Sequence, residues 1–193
     1  MDKRLFVVIP IVLLSSFVHA AEVKEADLAG NWYTASRAQL EDQLKSYLDA
    51  AKPEKIDGKI LAIIVPHAGY LYSGSVAAYG YKAVRDKGIK TVIILGFSHR
   101  KYFDGVSVYC GDSWKTPLGG IVVDTAIARK IISSNPRFRF QKELFNDENS
   151  VEMQIPFIQA ALNDGVKIVP IAFGNQNYSD AHALAVILAD LVK

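Results

Sequence analysis

The sequence is poor in cysteine. Cys110 is the only one, which excludes an internal disulfide framework and any multi-cysteine zinc site. It also lacks an excess of either charge. The formal net charge is +2, acidic and basic residues are interspersed, and no basic cluster gives the electrostatic footprint of a nucleic-acid binder. Past the N-terminus no apolar run approaches the roughly 20 residues needed to span a bilayer. Internal repeats, heptads and low-complexity segments are absent. There is no Gly-x-Ser-x-Gly elbow either, so Ser73 and Ser98, although close in sequence to histidines, make a poor case for a hydrolase triad.

What is present is enough apolar material for one core. Half of the 193 residues are hydrophobic, which suits one well-packed domain and is too little for two large ones. The first 20 residues read differently from the rest. Met1-Asp2-Lys3-Arg4 is a positive start, residues 5–18 are almost unbroken apolar sequence containing Pro10, and Val18-His19-Ala20 precedes Ala21-Glu22. This is the three-part layout of a secretory signal. The expected product is an exported domain over residues 21–193, periplasmic or secreted, with an uncleaved N-terminal anchor as the alternative.

Along the domain, Ser36 caps a predicted helix with Leu40, Leu44, Tyr47 and Leu48 on one face. Residues 59–65 are apolar on both faces and rich in β-branched side chains, as in a buried parallel strand, and Pro66 stops the run. A helix is predicted from Ser75 with Ala77, Ala78, Tyr81 and Val84 inward, ended by Lys87-Gly88. A second buried strand follows over residues 91–95, which makes a βαβ unit. Residues 105–109 alternate like a half-exposed strand, and residues 113–120 read as a turn or loop. Asp124 caps a helix through Ile132, and Phe138 and Phe140 mark a short extended piece. Residues 150–162 read as a helix kinked or split at Pro156. A third buried strand spans 166–173, and a last helix runs from Tyr178 to Leu191. The fold class is α/β: a single domain with a mostly parallel central sheet and flanking helices.

Chemistry concentrates where the first two predicted strands end. Pro66-His67-Ala68-Gly69-Tyr70 follows one, and Gly96-Phe97-Ser98-His99-Arg100 the other. Ligands in open parallel sheets bind beyond the carboxyl ends of the strands. Neighbouring strands lie about 5 Å apart, so His67 and His99 can converge on one metal. A second cluster, Asn146-Asp147-Glu148-Asn149-Ser150-Val151-Glu152-Met153-Gln154, opens a helix. Its acids either cap that helix and complement its dipole, or orient a histidine or act as acid or base.

These segments carry a resemblance. Pro66-His67-Ala68-Gly69-Tyr70 with Ser73-Gly74, then Leu95-Gly96-Phe97-Ser98-His99, then the run from Glu148 to Phe157, are similar to motifs of the Memo family. Gly30-Asn31-Trp32-Tyr33 and the stretch from Trp114 to Gly119 are similar too. Microbial members are called AmmeMemoRadiSam system protein B. The family resembles class III extradiol dioxygenases, which use non-haem iron in an α/β fold. The resemblance implies His67 and His99 as metal-site residues, iron or copper as the metal, and functional links to radical SAM and AMMECR1-type proteins.

Two departures stand out. Asn149 occupies the place after the glutamate where the family usually has histidine, and amide groups are poor ligands for iron or copper beside imidazole. The family's last motif, Ser-Asp-Phe followed by a His-containing turn, is not found, so the chain is expected to be a C-terminally truncated member. Asp147, Glu148, Asn149 and Glu152 are the candidates expected to support the site. The expected function is metal-dependent redox chemistry, dioxygenase-like in character. Two alternatives stand beside it: a crevice lined by Tyr70, Tyr72, Phe97, Tyr102, Phe103 and Trp114 that binds a small molecule or peptide without catalysis, and a degenerate inactive copy.

Overall fold

The computed structural model describes residues 21–192 apart from residue 163. Residues 1–20, and with them the expected secretory signal, lie outside the described residues. Among the described residues no helix is long and apolar enough to cross a membrane.

The chain forms an α/β domain with two sheets and six α-helices among the described residues. The larger sheet has the order β2-β7-β3-β6. Here β2 is Thr91–Phe97, β3 Val106–Val108, β6 Phe138–Arg139 and β7 Lys167–Phe173. β2 and β7 run parallel through seven matched pairs, from Thr91 with Lys167 to Phe97 with Phe173. β3 lies antiparallel to β7 and parallel to β6. The smaller sheet joins β1 (Val23–Lys24), β4 (Ser113–Thr116) and β5 (Gly119–Val122). A bridge between Val123 and Ile168 ties it to β7.

Both faces of the larger sheet are covered, and β7 shows how. Ile168 and Ala172 join one core cluster with α1 (Arg37–Ala50), α2 (Tyr70–Ala83) and α5 (Ile155–Ala161), while Val169 and Ile171 join a second with α3 (Thr125–Ser134) and α6 (Tyr178–Leu191). Successive strand residues point to opposite faces, so a strand buried on both sides must be apolar throughout. Two helix ends are set by caps read directly from the sequence: Ser36 Oγ accepts from the Gln39 N–H and Asp124 from that of Ile127. A third cap, Asn177, which the sequence reading did not single out, accepts from Asp180.

Four expectations are corrected. Residues 59–65 form no strand: they pair with nothing among the described residues, and Leu61 and Ile64 are 68% and 103% exposed. High β propensity describes a fit to a pleated surface and supplies no partner strand. The helix predicted from Ser75 begins at Tyr70. Gly74 thus lies inside α2, at a position where a Cβ would meet the Tyr47 ring at 2.5 Å. The half-exposed strand at 105–109 is fully buried β3. It lies between β7 and β6, and its one polar residue, Ser107, bonds the Gln141 backbone through both its hydroxyl functions. The loop at 113–120 is a hairpin, with Pro117 and Leu118 between β4 and β5. The helix over 150–162 is divided as expected, into the short α4 (Asn149–Glu152) and α5. Pro156 stands in the first turn of α5, where a missing N–H costs little.

Candidate functional site

His67 and His99 meet. Their ring centroids are 5.2 Å apart, and the Phe97 ring packs on both, at 4.1 Å from His99 and 5.6 Å from His67. His99 follows β2 and so is carried by the sheet. His67 lies just before α2, in a segment held by side chains rather than by a ladder. The His67 carbonyl accepts from Asn149 Nδ2 at 3.2 Å, and the Pro66 carbonyl accepts from Gln154 Nε2 at 3.4 Å. Gln154 is in turn fixed by the Tyr81 hydroxyl, 2.8 Å from its Oε1.

Glu148 serves both roles foreseen for the acidic cluster. It caps α4 through the Ser150 N–H at 2.9 Å, and it orients a histidine. Its Oε1 lies 2.8 Å from His99 Nδ1, and its Oε2 accepts the His99 backbone N–H at 2.8 Å. The Ser150 hydroxyl donates to Oε1 at 2.7 Å and accepts the Phe97 N–H at 3.0 Å. A fully buried carboxylate surrounded by donors is an acceptor, so the Nδ1 of His99 carries the proton that faces it, and Nε2 is the ring nitrogen left to face away from Glu148. Gly96 makes room for this arrangement, because a Cβ there would collide with Ser150 Oγ and press on Val151.

The other supporting residues do something else. Glu152 is buried, but its carboxylate is turned to the N-terminal loop, accepting from the N–H groups of Asp27 and Leu28 at 2.9 Å each and from the Tyr33 hydroxyl at 2.8 Å. Burial pushes its carboxyl upward against those hydrogen bonds, and burial and the Glu152 charge push the Tyr33 phenol up as well. Asp147 is exposed in a left-handed turn, φ 54°, and its backbone N–H donates to Asp27. The Asn149 amide is spent on the His67 carbonyl. Among the described residues no group of three or more His, Cys, Asp or Glu is arranged to hold a metal ion. Burial, then the neighbouring His99, holds the His67 imidazole below its ordinary pKa, against the pull of Glu148.

The aromatic crevice does not assemble. Trp114 is a core residue against Tyr109 and Phe145, and Tyr70 is buried with its hydroxyl on the Met153 carbonyl. Tyr72 and Tyr102 are each 81% exposed. Two surface hollows measure about 460 and 750 Å³; the first shares only Tyr70 with the expected crevice, the second shares none of its residues, and neither includes His67 or His99. The roles of Ser150 and Gln154 were not foreseen, although polar residues inside an otherwise buried helical stretch were a usable signal.

The profile of the Memo-like protein family matches residues 24–193. The chain belongs to the Memo-like family. This Memo-like chain is 30% identical over 171 residues to a MEMO1 family protein of Thermoplasma volcanium, covering 89% of the chain and 63% of that relative. It is 37% identical over 166 residues to a MEMO1 family protein of Pyrococcus furiosus, covering 84% and 56%. It is 36% identical over 154 residues to Protein MEMO1 of Xenopus laevis, covering 78% and 51%. The Memo-like chain therefore spans less than two-thirds of the length of these relatives.

Proposed function

We propose that this Memo-like chain holds one iron or copper ion between His67 and His99 for redox chemistry. The observation that carries the reading is the double hold of Glu148 on His99. A carboxylate that fixes the proton on Nδ1 and the backbone N–H of the same residue presents Nε2 in one orientation, which is the usual arrangement behind a metal-ligating histidine. His67 is prepared in a different way. Its backbone is pinned by Asn149, and its partly buried ring favours the neutral form that ligates metals. The residues fit a two-imidazole donor set, with Glu148 and Asn149 in supporting places. Iron or copper bound there would supply one-electron chemistry. The protein's own contribution is orientation: Phe97 packs against both rings, and the Ser150 hydroxyl couples the end of β2 to Glu148.

The test is metal content after loading with Fe(II) or Cu(II) and gel filtration, compared among the wild type, His67→Ala and His99→Ala. Loss of the bound metal in either variant, with unchanged circular dichroism, supports the site. Equal metal content in all three proteins removes it.

A further inference from the structure

The larger of the two hollows, about 750 Å³, is bounded by α1, β5, the turn after α5 and the start of β7. Lys167, the first residue of β7, lines it, whereas His99 follows the far end of the paired strand β2. Strands rise about 3.3 Å per residue, so the hollow and the histidine pair stand about 20 Å apart, at opposite ends of the sheet.

The floor of the hollow is aliphatic. Leu48, Ile121 and Val166 are buried there, and Leu118 and Ala160 are half-buried. Among the described residues no aromatic ring lines it, and Gln159 is its one neutral polar side chain. That amide is already spent: Nε2 donates to the Gly119 carbonyl at 3.0 Å, and Oε1 accepts from the Thr116 hydroxyl at 2.6 Å. A sugar or a nucleoside would find neither a stacking ring nor a set of hydroxyl partners.

The rim is charged, and its charges do not cancel. Two acids are taken up within α1, Glu41 by Arg37 at 2.8 Å and Asp49 by Lys45, each at the i,i+4 spacing of a helix. The exposed Arg85 and Lys167 remain against Asp164 alone, and none of these three has an ion-pair partner among the described residues. Lys45, and after it Lys82 and Arg85, hold the Asp49 carboxyl below its ordinary range, so positive charge reaches this rim from beyond α1.

The edge of the smaller sheet adds main-chain donors. Val123 donates to the Asp112 carbonyl at 3.0 Å, and the next residues toward the turn pair as Val122 with Ser113, Ile121 with Trp114 and Gly120 with Lys115. Bonded pairs alternate along an antiparallel ladder, so Gly120 and Val122 turn their N–H groups away from β4. β5 is the last strand of that sheet, and both residues line the hollow. At Gly120 nothing stands within 4 Å of where a Cβ would be, which leaves its N–H open to approach.

We propose that this hollow binds an aliphatic monocarboxylate, with the chain on Leu48, Leu118 and Val166 and the carboxylate on Arg85, Lys167 and the free edge of β5. An apolar floor with a few convergent polar groups is the common form of a small-molecule site, and the volume lies within the usual range of about 300–1,000 Å³. No residue of the hollow belongs to the histidine pair, so failure here and failure of the metal site are separate outcomes.

Octanoate is the probe, titrated into the whole chain by calorimetry while amide shifts are recorded by nuclear magnetic resonance. The expected result is saturable one-to-one binding, with the largest shifts at Gly120, Val122 and Gly165. Acetate lacks the chain and octanol lacks the charge, and each is expected to bind about tenfold more weakly or worse. The double variant Arg85→Gln, Lys167→Gln alters exposed side chains only and should keep the wild-type circular dichroism. It is expected to weaken octanoate about tenfold and to leave octanol unchanged. Absence of saturable octanoate binding overturns the proposal, as do shifts confined to other surfaces or equal affinity for octanoate and either control. Indifference of octanoate to the double variant overturns it as well.

Discussion

Glu148 holds His99 at two places, with Oε1 2.8 Å from the ring Nδ1 and Oε2 2.8 Å from the backbone N–H. Replacing Glu148 with Gln makes one of those two acceptors a donor. Either the ring Nδ1 or the backbone N–H of His99 then loses its acceptor, and the ring is no longer held at both places. Metal affinity of Glu148→Gln is expected to fall about 10–100-fold, the usual cost of losing such a partner. Titration with Fe(II) or Cu(II) checks it, and wild-type affinity in this variant would separate the carboxylate from the site.

Gly96→Ala should disturb the same arrangement from below. Its new Cβ collides with Ser150 Oγ and crowds Val151, so the end of β2 must move away from α4. Overpacking of this kind typically costs about 1–3 kcal/mol. The midpoint of urea unfolding should drop accordingly, and metal uptake should fall with it.

Tyr33→Phe serves as the contrasting variant. It removes the hydroxyl that donates to the buried Glu152 carboxylate. A hydrogen bond to a charged group contributes about 1.5–3 kcal/mol, and stability should fall by that order. Metal content should stay at the wild-type level, because Glu152 faces the loop formed by residues 27–33.

The pairing of Arg137 with Asp180 predicts an acid-sensitive contribution to stability. Arg137 Nε and Nη2 meet the two carboxylate oxygens at 2.6 and 2.8 Å, and this guanidinium holds the Asp180 carboxyl below its ordinary value of 3.8. A depressed carboxyl stabilises the folded state above the unfolded value, and the contribution is lost as pH falls through the folded one. Arg137→Ala should therefore lower the urea midpoint at pH 7, and its difference from wild type should narrow below the ordinary carboxylate range. A constant difference down to strong acid would contradict this.

Much of the architecture was legible because short-range signals and tertiary demands agree. In α1 the Ser36 cap and the spacing of Leu40, Leu44 and Leu48 point the same way. β7 could be recognised because it is apolar on both faces, and both faces are covered. The pairing of His67 with His99 was legible from two apolar runs that each end in histidine. Residues 59–65 misled for an instructive reason: their composition is that of a strand, but strand formation needs a neighbour, and a neighbour is not written locally. The hairpin at β4 and β5 was hidden by Pro117 and the glycines, which mark a tight two-residue turn as readily as a loop. The hold of Glu148 on His99 spans 49 residues of sequence, a separation that no periodicity reveals.

The four-residue helix α4 has a consequence for how the domain opens. Glu148 at its start grips the end of β2, Asn149 grips residue 67, and Glu152 at its end grips residues 27, 28 and 33. Fluctuations that release one of these clients also loosen the mount of the others, as in a cooperative unit of local unfolding. The amides of Leu28 and His99, which come from distant parts of the sequence, should then exchange with solvent at a shared rate. The N-terminal loop and the histidine pair would be lost together in the same opening event.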